Sequence, residues 1–174
     1  MSRSTNNDPG PNTLVAAWYD EHHVGVYNYL RMLLGNQADA DDAFQATFAN
    51  LLRRDGELES VRHPKAYLYR AARNAAISLM RKNRAAPMGG DALEGLAAPE
   101  PAVPSEVTAM LDQAMAQLPP IQREVIMLKV YDQMTFREIA RVTGMLLPTA
   151  ASHYWRGTRT LRQLLENHDE LAQS

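Results

Sequence analysis

Between Thr135 and Leu165 the chain leaves few folding options open. Thr135 and Glu138, three residues apart, are a capping-box pair that starts a helix, Ile139, Ala140 and Val142 are its inward candidates, and Gly144 is a stop. Pro148 suits the first turn of a second helix, along which Ala150, Tyr154, Leu161, Leu164 and Leu165 fall near one stripe. Thr149, Ser152, His153, Arg156, Arg159 and Gln163 fall on the other face, and no acidic residue lies between Thr143 and Leu165. Ala140, a small residue four before the turn glycine, lets the two backbones approach at the crossing that admits a second helix to a DNA major groove. A helical hairpin inside a bundle core would want apolar residues where Ser152, His153, Arg156 and Arg159 stand. The pattern predicts a helix-turn-helix.

Charge is unevenly spread along the rest of the chain. Residues 1–60 hold 4 Lys/Arg against 9 Asp/Glu, whereas residues 61–84 hold 7 Lys/Arg and no acid. Two surfaces for two kinds of partner follow from that segregation, although the net charge of −2 is not that of a protein holding nucleic acid by charge alone. Cysteine is absent, which excludes disulfides, thiolate catalysis and a zinc ribbon. No apolar run has bilayer length and residues 1–12 lack a signal-peptide core, so the expectation is a cytoplasmic protein with no membrane insertion.

Residues 1–12, rich in Ser, Asn, Pro and Gly, are expected to be disordered. Leu14, Ala17, Trp18, Val24, Tyr27, Leu30 and Leu34 keep a helical period that Gly35 closes, with a candidate interruption near His23. His22 and His23 stand beside Asp20 and Glu21, but neighbours one apart on a helix face different ways, so no metal is expected. Residues 39–54 begin with acids and end with two arginines, in keeping with the helix dipole, around a stripe of Phe44, Thr47, Phe48, Leu51 and Leu52. A short loop over 55–63 ends at Pro64, a first-turn residue for the next helix. In that helix Leu68, Ala72, Ala75 and Leu79 are the packing side. Tyr67, Arg70, Asn74, Ser78 and Arg81 share another face, with Lys65, Arg73 and Lys82 at its margin. An aromatic and an amide among guanidinium groups suit contact with single-stranded nucleic acid.

Residues 85–104, with 4 Pro, 3 Gly and 6 Ala, read as a flexible linker. The expected architecture is all-α: a helical domain over 13–84, the linker, a helix-turn-helix domain of about four helices over 105–166, and a fraying tail over 167–174. An enzyme is not expected, because no phosphate-cradling glycine loop and no convincing Ser-His-Asp or paired-carboxylate set is visible, and no cofactor is called for.

DADDAFQATFANLLRR, PKAYLYRAARNAAISLMRKNRA and LPPIQREVIMLKVYDQMTFREIARVTG followed by PTAASHYWRGTRTLRQLLE together resemble a bacterial RNA polymerase sigma factor of the extracytoplasmic-function type, over roughly residues 14 to 166 with the linker excepted. The resemblance implies promoter recognition and melting without covalent chemistry. It places Asp39, Asp41, Asp42, Gln45, Phe48 and Leu52 on or beside the surface that grips the clamp helices of core polymerase. In the family the loop matching 55–63 captures a base flipped from the minus-ten element. Arg62, Lys65, Tyr67, Arg70, Arg73, Asn74 and Arg81 are then the minus-ten contacts. The C-terminal domain would dock on the polymerase flap and read the minus-thirty-five element through Thr149, Ser152, His153, Tyr154, Arg156 and Arg159.

The family pattern has glycine, threonine, an aliphatic residue, lysine, serine and arginine where this chain has Pro148, Thr149, Ala150, Ala151, Ser152 and His153. Two cations are missing, so DNA contact should fall more heavily on Arg156 and Arg159. Ala46 replaces a usual acid and Ser78 a frequent aspartate. Partners implied are core RNA polymerase, promoter DNA and, as a further candidate, an anti-sigma protein. Two rival readings use the same residues: a stand-alone helix-turn-helix regulator, which the acidic N-terminal half disfavours, and a sigma-like decoy that binds an antagonist.

Overall fold

The computed structural model describes residues 13–85 and 106–172. The expected disorder of residues 1–12, and the linker beyond Ala85, lie outside the described residues. Two groups of helices result. The first holds α1 (Thr13–Leu34), α2 (Gln37–Arg53), the single turn α3 (Asp55–Leu58) and α4 (Pro64–Ala85). The second holds α5 (Glu106–Gln117), α6 (Pro120–Ile126), a π-helical segment (Met127–Tyr131), α7 (Phe136–Thr143) and α8 (Leu147–Ala172). No strand occurs among the described residues, and none of the described helices is long and apolar enough to cross a membrane.

α1 runs through His23 without a break, His23 Nδ1 lying 2.9 Å from the Tyr19 carbonyl while the two rings stack at 4.9 Å. Its buried stripe is Val15, Trp18, Val26, Tyr29 and Leu30, rotated from the expected one: Ala17 is exposed and Val24 is 59% exposed. Gly35, at φ 75°, ends α1, and Asn36 caps α2 by accepting a 2.8 Å bond from the Asp39 amide. α2 therefore starts two residues before Asp39, and Asp39 sits in its first turn. The expected loop over 55–63 contains α3, pinned by the buried Leu58. α8 continues to Ala172 where a fraying tail was expected.

Alanines let α4 come close to its neighbours: Ala66, Ala72 and Ala76 are buried with Leu68 and Tyr69 against α1 and α2. In the second group, α6 crosses α8 closely at Gly157. A β-carbon there would stand 2.8 Å from Ile126 Cδ1 and 3.1 Å from Gln122 Cβ, so α6 and α8 meet only over a hydrogen. The groups are not separate bodies. Val125, Leu128, Met134, Ile139, Val142 and Ala150 share a continuous apolar core with the buried residues of α1, α2 and α4, and α4 packs on α7. A linker composition predicts freedom, but it has no bearing on whether the surfaces it joins are complementary.

Candidate polymerase and nucleic-acid surfaces

On α2 the six residues expected at the polymerase surface divide by depth. Asp42 and Gln45 are exposed and Leu52 is 46% exposed, and with Ala46 and Ala49 they form one outward ridge. Asp41 accepts a 2.7 Å bond from the Tyr27 hydroxyl, which raises the tyrosine's pKa. Asp39 accepts from Asn36 Nδ2 at 2.9 Å and from Asn83 Nδ2 at 3.3 Å, joining α2 to the end of α4. Phe48 is buried, edge-on to Tyr19 and tilted on Phe44, so it lies beneath the ridge and not on it. A ridge of small and apolar residues with an acidic end is suited to a basic partner.

α4 divides too. Arg70, Asn74, Ser78 and Arg81 are exposed on it, as is Arg62 in the segment just before it, and Tyr67 is half-buried with its ring 6.2 Å from Trp18. A groove of about 630 Å³ runs between α2 and α4, lined among others by Arg54, Tyr67, Asn74, Ser78 and Lys82. Aromatic, amide and cationic groups thus converge on a space large enough for a nucleobase. Ala46 and Ser78, the positions that depart from the family pattern, line the same groove.

Lys65 and Arg73, expected with that set, point elsewhere. Arg73 Nε donates to Glu124 Oε1 at 2.7 Å and its Nη2 to Oε2 at 3.3 Å, while Lys65 Nζ donates to the Asp132 carbonyl. Burial alone would lower the Arg73 pKa, but the bonds to Glu124 outweigh it and raise it. Sequence reading missed Glu124 because its partners are 51 and 95 residues away.

Thr135 and Glu138 make the capping box: the Glu138 amide donates to Thr135 Oγ1 at 3.2 Å, and the Thr135 amide donates to Glu138 Oε2 at 2.8 Å. Gly144, at φ 75°, ends α7 with its amide on the Ala140 carbonyl at 2.9 Å, and three residues later α8 begins. Thr149, Arg156 and Arg159 are exposed on the outer face of α8, with Ser152 half-buried among them. Tyr154 packs inward, edge-on to Phe136 at 5.5 Å, which places it in the α7–α8 contact. His153 is half-buried, and its Nδ1 is out of solvent without a hydrogen-bond partner. Trp155, missed in the sequence reading, is 62% exposed. Its position three after Ser152 and one before Arg156 was the available signal.

Among the described residues no group of three or more His, Cys, Asp or Glu is placed to hold a metal ion.

These helices make a two-part, all-α fold, and comparison specifies the class. Residues 18–86 match the family model for sigma-70 region 2, and residues 108–161 match that for sigma-70 region 4. The ECF RNA polymerase sigma factor SigL of Mycobacterium tuberculosis (strain ATCC 25618 / H37Rv) is 30% identical over 172 residues, covering 95% of this chain and 97% of that protein. RNA polymerase sigma factor CarQ of Myxococcus xanthus is 32% identical over 151 residues, covering 84% and 86%. Among solved structures, CnrH in complex with the cytosolic domain of CnrY matches with a TM-score of 0.65 at 22% identity, covering 91% of each chain. The sigma factor RpoE in complex with the anti-sigma factor NepR from Bartonella quintana matches at 0.68 and 20% identity, covering 86% of this chain and 97% of that one. These likenesses bear on fold. The chain belongs to the extracytoplasmic-function RNA polymerase sigma factors, and its named relatives are transcription factors and not enzymes.

Proposed function

We propose that the chain binds core RNA polymerase through the exposed ridge of α2, reads a minus-thirty-five element with α8, and holds the melted minus-ten element on α4. The observation that carries this reading is the groove between α2 and α4, where Tyr67, Asn74 and Arg54 meet beside exposed Arg70 and Arg81. A base leaving the duplex would stack on the aromatic face and hydrogen-bond the amide, while the arginines neutralise flanking phosphates. Unstacking costs a few kcal/mol per base, which capture of this kind offsets, so melting needs no covalent step. In the first group the domain performing this is 13–84, and in the second the reader is 105–166. A chain with this role would act in the cytoplasm, where its polymerase partner is.

On α8 the DNA face comprises Thr149, Ser152, Arg156 and Arg159, with Trp155 offering an apolar surface to a thymine methyl. Run-off transcription tests the whole reading. Chain plus core polymerase should yield transcripts from a promoter that core alone ignores. Arg70→Ala with Asn74→Ala should keep core binding and lose open-complex formation by at least tenfold. Unchanged opening in that pair would remove the α4 assignment.

A further inference from the structure

Side-chain type along the leading half of α8 limits what that helix can read. Between Gly144 and Trp155 there is no Arg, Lys, Asn, Gln, Asp or Glu. A guanine is singled out by a cation spanning its O6 and N7, an adenine by an amide spanning N6 and N7, and a cytosine by a carboxylate on N4. None of these is present in the first turns, which are the part of a recognition helix that meets base edges in a major groove. Thr149 and Ser152 offer short hydroxyls, and His153 is half-buried with Nδ1 out of solvent. The first cation, Arg156, comes only after Trp155, about two and a half turns into the helix.

What the same turns do offer is apolar surface. Leu147, Ala151 and Trp155 follow one another at four-residue spacing and share one sector of α8, with Leu146 just ahead of it. Leu146 is 75% exposed and Trp155 62%, and Leu147 is exposed too. Arg156, Arg159 and Arg162 stand in solvent beyond them, and no acid lies between Gly144 and Leu165. An exposed apolar patch with a purely cationic margin is matched to a polyanion that carries apolar groups of its own. Trp155 is also held still. Its ring meets Tyr154 edge-on at 5.0 Å, and Tyr154 in turn meets Phe136 edge-on at 5.5 Å. A large ring fixed in solvent is pre-organised, so little rotamer freedom is lost when it makes contact.

We infer that α8 recognises thymine through its 5-methyl group. Thymine is the base that presents a methyl in the major groove, where cytosine has only hydrogen at that carbon. Trp155 lies across the methyls of neighbouring thymines, Ala151 and Leu147 carry the contact along the groove, and Arg156 and Arg159 neutralise flanking phosphates. The preferred ligand is a duplex whose upstream element is rich in A·T pairs, with no guanine required beneath the first turns of the helix. This rests on the assignment of α8 to that element and extends it, from which helix reads to which chemical group is read.

The test uses the full chain assembled with core polymerase, which enriches its own promoter from a pool of randomised duplexes. The enriched duplex is then remade with deoxyuridine in place of each thymine of the upstream element, on both strands. That deletes the methyls and leaves every hydrogen-bonding edge unchanged. The parent should bind the deoxyuridine duplex more weakly, by about fourfold for each methyl contacted. Trp155→Ala should bind the thymine duplex more weakly and lose most of the distinction between the two, while Trp155→Phe should keep part of it. Because Trp155 is exposed, the alanine variant should keep the parent's helical circular dichroism. An enriched upstream element without thymine, or equal binding of the two duplexes by the parent while Arg156→Ala still weakens binding, would overturn the methyl inference and leave α8 as the reader. Failure of the α8 assignment itself shows differently: the parent prefers thymine, but Trp155→Ala and Arg156→Ala both match it in affinity and preference, so the reader lies elsewhere and the inference falls with it.

Discussion

α4 and α8 both present a cationic stripe, and the two stripes are held in different ways. On α8, Arg156, Arg159 and Arg162 all stand in solvent. On α4, Arg70 and Arg81 are exposed, whereas Arg73 is half-buried against Glu124 and Lys65 against the Asp132 carbonyl. Residue type and helical phase say where a charge lies on its helix. Only the partner surface says whether that charge is free to meet a phosphate.

The largest expected effect separates Arg73 from Arg156. Arg73→Ala leaves Glu124 buried without its cation, a change that costs about 3–5 kcal/mol when the carboxylate cannot escape. Undocking rehydrates Glu124, so the observed loss is capped by the docking free energy. The two tryptophans lie one in each group, Trp18 in α1 and Trp155 in α8, and single-tryptophan versions report the groups separately in urea. In Arg73→Ala the two urea midpoints should part, whereas Arg156→Ala should move neither by more than about 0.5 kcal/mol. Coincident, unshifted midpoints in Arg73→Ala would erase the contrast between the helices.

Arg156 is expected to matter in binding instead. If it neutralises one phosphate, Arg156→Ala lowers the slope of log affinity against log salt by about 0.9 for duplex DNA, with a weaker loss of affinity at high salt than at low. Fluorescence anisotropy with a duplex carrying the upstream element measures it. Parallel salt plots for variant and parent would show that the arginine touches no phosphate, and that exposure on α8 is no better a guide than charge on α4.

What could be read from sequence was what is settled locally. The capping box at Thr135, the stop at Gly144 and the start of α4 at Pro64 depend on neighbours within four residues, and all three stand in the structure. The phase of α1 was misjudged because Ala17 and Val24 are apolar but face outward, while Tyr29, a polar aromatic, is fully buried. Its hydroxyl can be buried only because Glu124 receives it, and nothing near Tyr29 in the chain announces that. Phe48 and Tyr154 show the same limit at the candidate site. Each lies on the expected helix, but its ring meets other rings inside the protein. Trp155, by contrast, was missed although its place between Ser152 and Arg156 offered a local signal.

The smallest effect concerns acid, and it opposes two carboxylates a few residues apart. Glu138 has its pKa lowered, first by the Thr135 backbone amide and then by the Thr135 hydroxyl, against a smaller opposing contribution from burial. A lowered folded value means the cap stabilises fully above the ordinary carboxylate range and is lost as pH falls through that lowered value. Asp132 has its pKa raised by burial, with the Tyr69 bond and Lys65 pulling back, so its charged form is penalised at neutral pH and the penalty is relieved as pH falls. Relief at Asp132 therefore comes at higher pH than loss at Glu138. Thr135→Ala should cost about 1 kcal/mol at neutral pH, and the gap to the parent should narrow as pH falls below the lowered Glu138 value. Urea midpoints read through Trp155 at neutral and acid pH measure it. A gap that stays constant would mean the Glu138 carboxylate takes no part in the cap.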